Sequence, residues 1–217
     1  MDQEKVIERT VTFVKEQLKN AEGWHDRRHI YRVWNLTKHI AATEKVNLLV
    51  VELGALLHDI ADSKFYDGDE EIGPRKAREF LSSLSVQEDV IVHVEKIIAN
   101  VSFRGGRYIQ EFASPELDVV QDADRLDSMW AMGIARTFNY GGYKHIGIYN
   151  PDIKPNLNMT KEEYKNNTAP SLNHFYEKLL LLKGRMNTKT GKKFAEHRHA
   201  YIENFLEEFH KEREGEL

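Results

Sequence analysis

Residues 48–61 read LLVVELGALLHDIA. Apolar side chains recur at helical spacing until His58 and Asp59 arrive on the same faces. Val51, Ala55 and His58 share one stripe, and Leu48, Ala55, Leu56 and Asp59 follow the stripe beside it. The spacing predicts a helix over 48–61 whose buried side carries a histidine and an aspartate. A core histidine with a hydrogen-bond partner is ordinary. An isolated ionised carboxylate is not, because it needs a cation or several donors to offset its desolvation.

Two more polar groups stand on apolar stripes. His29, Val33, Leu36 and Ile40 follow one another at steps of 4, 3 and 4 on a helix expected over 26–45. Asp124 continues the line of Leu117 and Val120 on a helix expected over 117–136. Two imidazoles and two carboxylates converging from three helices suit one divalent metal. The mixture favours Mn²⁺, Fe²⁺, Co²⁺ or Zn²⁺ over Ca²⁺, which prefers oxygen ligands. Mg²⁺ stays open.

The rest of the 217 residues reads as helix almost throughout. Val6, Ile7, Val11, Val14 and Leu18 mark a first helix with Gly23 beyond its end. Further helices are expected over 74–84, 86–101, 161–183 and 190–211, and only 111–113 offers a short extended piece. The fold class is all-α. Residues 137–160 interrupt it, with Gly141, Gly142, Gly147, Pro151 and Pro155 among aromatics, Lys144 and His145. So long a stretch without periodicity reads either as a lid or as a connector.

Composition removes several classes. There is no cysteine, hence no disulfide framework or thiolate chemistry. The charged, amphipathic N-terminal stretch has no signal-peptide pattern, and no apolar run spans a bilayer. A soluble, cytoplasmic protein without a membrane partner is expected. Thirty-one Lys and Arg against 35 Asp and Glu leave no basic excess for coating a nucleic acid duplex. A local anion pocket remains compatible with that balance.

His25-Asp-Arg-Arg-His29-Ile-Tyr-Arg-Val33, Ala55-Leu-Leu-His58-Asp59-Ile-Ala-Asp62 and Asp122-Ala-Asp124-Arg-Leu-Asp127 together resemble the HD-domain metal-dependent phosphohydrolases. Residues 133–142, 173–182 and 190–200 extend the resemblance toward a bacterial branch related to nucleotide pyrophosphatases. The resemblance implies an HD helical bundle with a small C-terminal helical cap. Residues 1–136 would form the metal-binding core, and 137–217 a loop and cap completing the same domain.

It also implies roles. His29, His58, Asp59 and Asp124 would hold a single metal ion, for which Mn²⁺ is favoured, and the ion would activate water. Asp124 matches the Asp before Arg-Leu, whereas Asp122 lies roughly 200° away around the helix. Asp127 would support a ligand or water. Asp62, one turn after His58, would assist the water, and Lys64 would meet developing phosphate charge. His25, Arg136, Lys144, His174, Lys178 and Arg198 would contact substrate. His93, the one histidine between the doublet and Asp124, argues for one metal rather than two.

The favoured reaction is hydrolysis of a (deoxy)nucleoside triphosphate to monophosphate and pyrophosphate. The alternatives are a nucleoside monophosphatase, a phosphodiesterase, or a non-catalytic metal- and nucleotide-binding regulator. Apolar helix faces leave a homodimer open.

Overall fold

The computed structural model describes residues 2–19, 27–61, 66, 69–102 and 110–216. Among these there are ten α-helices and no strand. No described helix is long and apolar enough to cross a membrane. The chain divides into two compact units, the described residues up to Asp124 belonging to the first and those from Arg125 to the second.

In the first unit, α1 (Gln3–Gln17) buries Val6, Thr10 and Val14, a single 4-residue stripe. α2 spans Arg27–Ala41 and buries Ile30, Val33, Thr37 and Ile40. α3 (Leu48–Leu57) starts where the Asn47 side chain accepts from the Leu49 and Val50 amides, satisfying two otherwise orphaned donors. Every residue from Leu53 to Leu57 is buried, because α3 packs against α1, α2 and a further helix, α5 (Glu88–Asn100). α4 (Ile72–Ser83) carries Pro74 in its first turn, where a missing amide proton costs nothing. Arg78 of α4 pairs with Glu88 at 2.7 Å and Glu95 at 2.5 Å, bridging to α5.

α6 runs Pro115–Asp127, with Ser114 Oγ accepting the Leu117 amide at its start. The helix expected over 117–136 is broken after Asp127. The Ser128 and Met129 amides turn back to Arg125 and Leu126 at i−3, and Trp130 takes φ +72°. α7 (Trp130–Tyr143) then begins. Gly133 makes this reversal feasible, since a Cβ there would lie 2.1 Å from the Ser128 carbonyl oxygen.

α7 also runs through the first seven residues of the expected irregular stretch. Gly141 is helical and buried, and a Cβ on it would meet Ser171 Oγ at 2.1 Å. The glycine serves close packing rather than helix termination. The expected helix over 161–183 is instead two short ones, α8 (Lys161–Lys165) and α9 (Asn173–Glu177), followed by 3-10 turns at Leu179–Leu181 and Lys183–Arg185. Between them Asn167 Oδ1 accepts the Ala169 amide and Pro170 withholds a donor. α10 (Lys189–Glu214) closes the chain, capped by Thr188 and by left-handed Gly215. Phe175 stacks on Phe205 at 5.5 Å and tilts against Phe138 at 5.7 Å, forming the core of the second unit.

Two neighbouring glycines test this packing. Gly133→Ala should lower Tm by roughly 3–10 °C, because backbone displacement outweighs the ~1 kcal/mol gain in helix propensity. Gly142→Ala, whose Cβ meets nothing within 4 Å, should be neutral or slightly stabilising. Equal effects in thermal unfolding would show that the turn after α6 is not tightly packed.

Candidate metal centre

Three helix ends meet in the first unit. His29 lies in the first turn of α2 and is 3% exposed. His58 and Asp59 follow α3 directly, so the doublet sits just past the helix end and not within a helix reaching residue 61. Asp124 lies in the last turn of α6.

The His58 ring is oriented by its own helix. Its Nδ1 is 2.8 Å from the Ala55 carbonyl oxygen, an acceptor only, so Nδ1 carries the proton and donates it. Nε2 is left as a lone-pair donor. That nitrogen lies 3.3 Å from His29 Nε2, and the two rings meet edge to face at 73°. Asp124 Oδ1 stands 3.5 Å from His29 Nε2 and 3.8 Å from His58 Nε2. Asp59 completes a group with the two histidines in which one ligand atom from each lies within 4.8 Å of the others.

The donor set fits a divalent cation. Two ligands about 2.1 Å from one ion and 90–110° apart stand roughly 3.0–3.4 Å from each other, matching the Nε2 to Nε2 separation. With the proton on Nδ1, the His58 Nε2 lone pair would be satisfied by a cation or by a proton on His29 Nε2. The position helps too, because the C-terminal ends of α3 and α6 present the negative pole of each helix dipole.

The other expected site residues fall into separate groups. His25, Asp62 and Lys64 lie outside the described residues. Arg136 Nη1 bonds Asp127 Oδ2 at 2.9 Å, so buried Asp127 is held by an arginine of α7. Arg198 of α10 donates Nη1–H to the Leu126 carbonyl and covers the Trp130 ring at 5.5 Å. Burial lowers the Arg198 pKa, and the charge of Asp127 partly offsets this. The two arginines therefore converge on the last turn of α6.

His174 and Lys178 remain neighbours although α9 ends between them, since the Lys178 amide bonds the His174 carbonyl at 3.0 Å. Burial, with the Lys178 charge as a smaller cause, pushes the His174 pKa down to about 3. His174 is thus neutral at physiological pH and offers hydrogen bonds, not charge. Lys144 is exposed just past α7, its ammonium 5.5 Å from the Tyr143 ring centre and 6.0 Å from that of Tyr140. His93 is engaged elsewhere, with Nε2 at 2.9 Å from Ser114 Oγ and 3.6 Å from Glu116 Oε2.

The Ala55 carbonyl is the functional group missed from the sequence. The i−3 spacing from His58 is visible there, but only the turn conformation past Leu57 aims the ring back at it. The pairing of Arg136 with Asp127 was also hidden, because it depends on the reversal between α6 and α7.

Comparison with known proteins follows the same residues. The HD domain family model matches residues 27–129, which include all four convergent side chains. The Bacillus subtilis (strain 168) protein YpgQ is 34% identical over 216 residues, covering 99% of this chain and 97% of its own length. Its crystal structure in complex with ADP superposes with a TM-score of 0.77, covering 98% of this chain and 97% of that one. A Bacillus thuringiensis HD-superfamily hydrolase is 44% identical with a TM-score of 0.76, over 98% and 99% of the two chains. A Lactobacillus plantarum structure reaches 0.86 at 33% identity, with both chains fully covered. Identity of this extent over nearly the whole chain, with the family match covering the His and Asp cluster, places the chain in the HD domain family as a YpgQ-like HD-superfamily hydrolase.

Proposed function

We propose that this hydrolase is metal-dependent and acts on nucleotides, converting (deoxy)nucleoside triphosphates to the monophosphate and pyrophosphate. The observation that carries the reading is the convergence of buried His29 with half-buried His58, Asp59 and Asp124 from three helix ends. The ADP complex of YpgQ supports a nucleotide as the ligand class.

In this reading His29 and His58 contribute Nε2 and the two aspartates contribute charge to one ion, with Mn²⁺ favoured. Such an ion, when bound, supplies Lewis acidity and a water of lowered pKa. The protein's own groups do the rest. The Ala55 carbonyl keeps the His58 proton on Nδ1, so no tautomer change is needed for ligation. Asp62 receives the proton of the attacking water, which adds to the α-phosphorus as the bond to the bridging oxygen breaks and pyrophosphate leaves. Lys64, Lys144 and Lys178 offset phosphate charge, His25 contacts substrate and neutral His174 contributes a hydrogen bond. Arg136 and Arg198 serve the site by steadying the last turn of α6.

Metal binding is tested first by thermal unfolding. Mn²⁺ at 100 times its Kd should stabilise EDTA-treated protein by ~2.7 kcal/mol, raising Tm by roughly 5–11 °C. The His58→Ala, Asp59→Ala double variant should show no rise. An equal rise in both proteins would remove the doublet from the ligand set.

Turnover is tested with a panel of deoxy- and ribonucleoside triphosphates under Mn²⁺, Mg²⁺ and Co²⁺, with products resolved by mass. Monophosphate and pyrophosphate are expected in equal amounts. Loss of an outer partner of a metal ligand costs about 10–100-fold, so Asp124→Asn should lose more than ~100-fold at limiting metal. Orthophosphate as the sole inorganic product would refute the cleavage position, and no turnover with any metal would refute the hydrolytic reading of nucleotides.

A further inference from the structure

α10 carries its exposed charge in the order that opposes its own dipole. A helix N-terminus is electropositive and favours acids, whereas the C-terminus favours bases. Lys189, Lys192 and Lys193 nevertheless stand exposed in the first two turns, beside the one acid Glu196. Glu207, Glu208 and Glu212 stand exposed in the last two turns. Lys211 answers part of this, reaching Glu207 at 2.6 Å and Glu208 at 3.1 Å, one ammonium for two carboxylates. The three lysines form no ion pair among the described residues. Charge within the helix thus works against the arrangement, and a surface of reversed polarity relieves it.

The side chains between the two ends have an order of their own. Lys193, His197, Ala200, Tyr201, Asn204 and Glu208 are all exposed and follow one another at steps of 4, 3, 1, 3 and 4. At 100° per residue they share about 100° of arc. That arc lies opposite buried Ala195, His199, Ile202 and Leu206. The steps read the same in both directions from the Ala200–Tyr201 midpoint. At that midpoint Tyr201 is 45% exposed, and Trp130, 36% exposed, meets its ring edge to face at 5.9 Å and His197 at 5.1 Å. An aromatic centre is thus flanked by a basic end and an acidic end on one helix face.

These placed charges select the occupant. A uniformly acidic or basic partner satisfies one end of the face and is repelled by the other. The same face turned end for end satisfies both, and it also sets the two helix dipoles antiparallel. We infer that the exposed face of α10 is a homodimer seam, on which α10 of a second copy lies antiparallel about the Ala200–Tyr201 midpoint. A two-fold axis there brings Lys193 level with Glu208 of the second copy, His197 level with Asn204, and bulky Tyr201 level with small Ala200. Every contact occurs twice, as two-fold symmetry requires. Aromatic residues near the middle and charged ones toward the edge are the usual composition of such an interface.

Sedimentation velocity of the full chain reads the species directly. Wild type at about 100 µM in low salt should be dimeric. Lys189→Glu with Lys193→Glu makes both ends of the face acidic, and Glu207→Lys with Glu208→Lys makes both basic. Each pair of changes should weaken the dimer about 10-fold or more, and the two variants mixed should recover a one-to-one heterodimer. A parallel seam predicts no loss from either pair, since like ends already face each other there. Register is read by oxidative cross-linking, which the absence of native cysteine keeps clean. Ala200→Cys should cross-link to its own copy, whereas Lys193→Cys, about 22 Å along the helix from its copy, should not. The seam is overturned if wild type stays monomeric, if either charge reversal leaves the dimer intact, or if the mixed variants stay apart. It is overturned as well if Ala200→Cys cross-links no better than Lys193→Cys.

Discussion

Two imidazole nitrogens stand 3.3 Å apart, with the Asp124 carboxylate 3.5 and 3.8 Å from them, a donor set that one divalent cation would join. Supporting that arrangement governs the first unit. α3 is buried nearly all round because it must deliver His58 and Asp59 from its C-terminal end into the interior. Packing with α1, α2 and α5 supplies the apolar burial against which the polar cluster is tolerated. Gly54 marks how tight this is, as a Cβ there would stand 3.1 Å from Ile97.

The same constraint explains why the cluster was legible in the sequence. Polar groups that must reach a core are carried on apolar stripes, and helical spacing exposes His29, His58, Asp59 and Asp124 without any structure. Helix ends were less legible. The periodicity of 48–61 does not stop at Leu57, yet the helix does, and His58 gains its aim from that stop. Residues 117–136 also keep an acceptable pattern across the reversal at Trp130. The approach of the Ser128 carbonyl to position 133 spans only five residues, yet it arises only once the chain has reversed. In residues 161–183 the opposite happened, as Asn167 and Pro170 outweighed a helical pattern that reads as continuous.

Arg136 and Arg198 illustrate a different limit. A guanidinium in a phosphohydrolase reads as a phosphate ligand, because the same fork geometry suits carboxylate, carbonyl and phosphate oxygens alike. Here Arg136 donates from Nη1 to Asp127, and Arg198 donates to the Leu126 carbonyl. Composition and motif position cannot separate these uses. Only the path of the backbone decides which oxygen an arginine reaches.

That path runs through α6. Asp124, Leu126 and Asp127 lie on one helix, so their separations are fixed by its ~1.5 Å rise and 100° turn per residue. Arg136 anchors the last turn from α7, and Arg198 anchors it from α10 while lying over Trp130. Arg198 thus braces at once the last turn of the helix that carries Asp124 and the ring of Trp130 that opens the next helix, so that one guanidinium fixes both sides of the reversal.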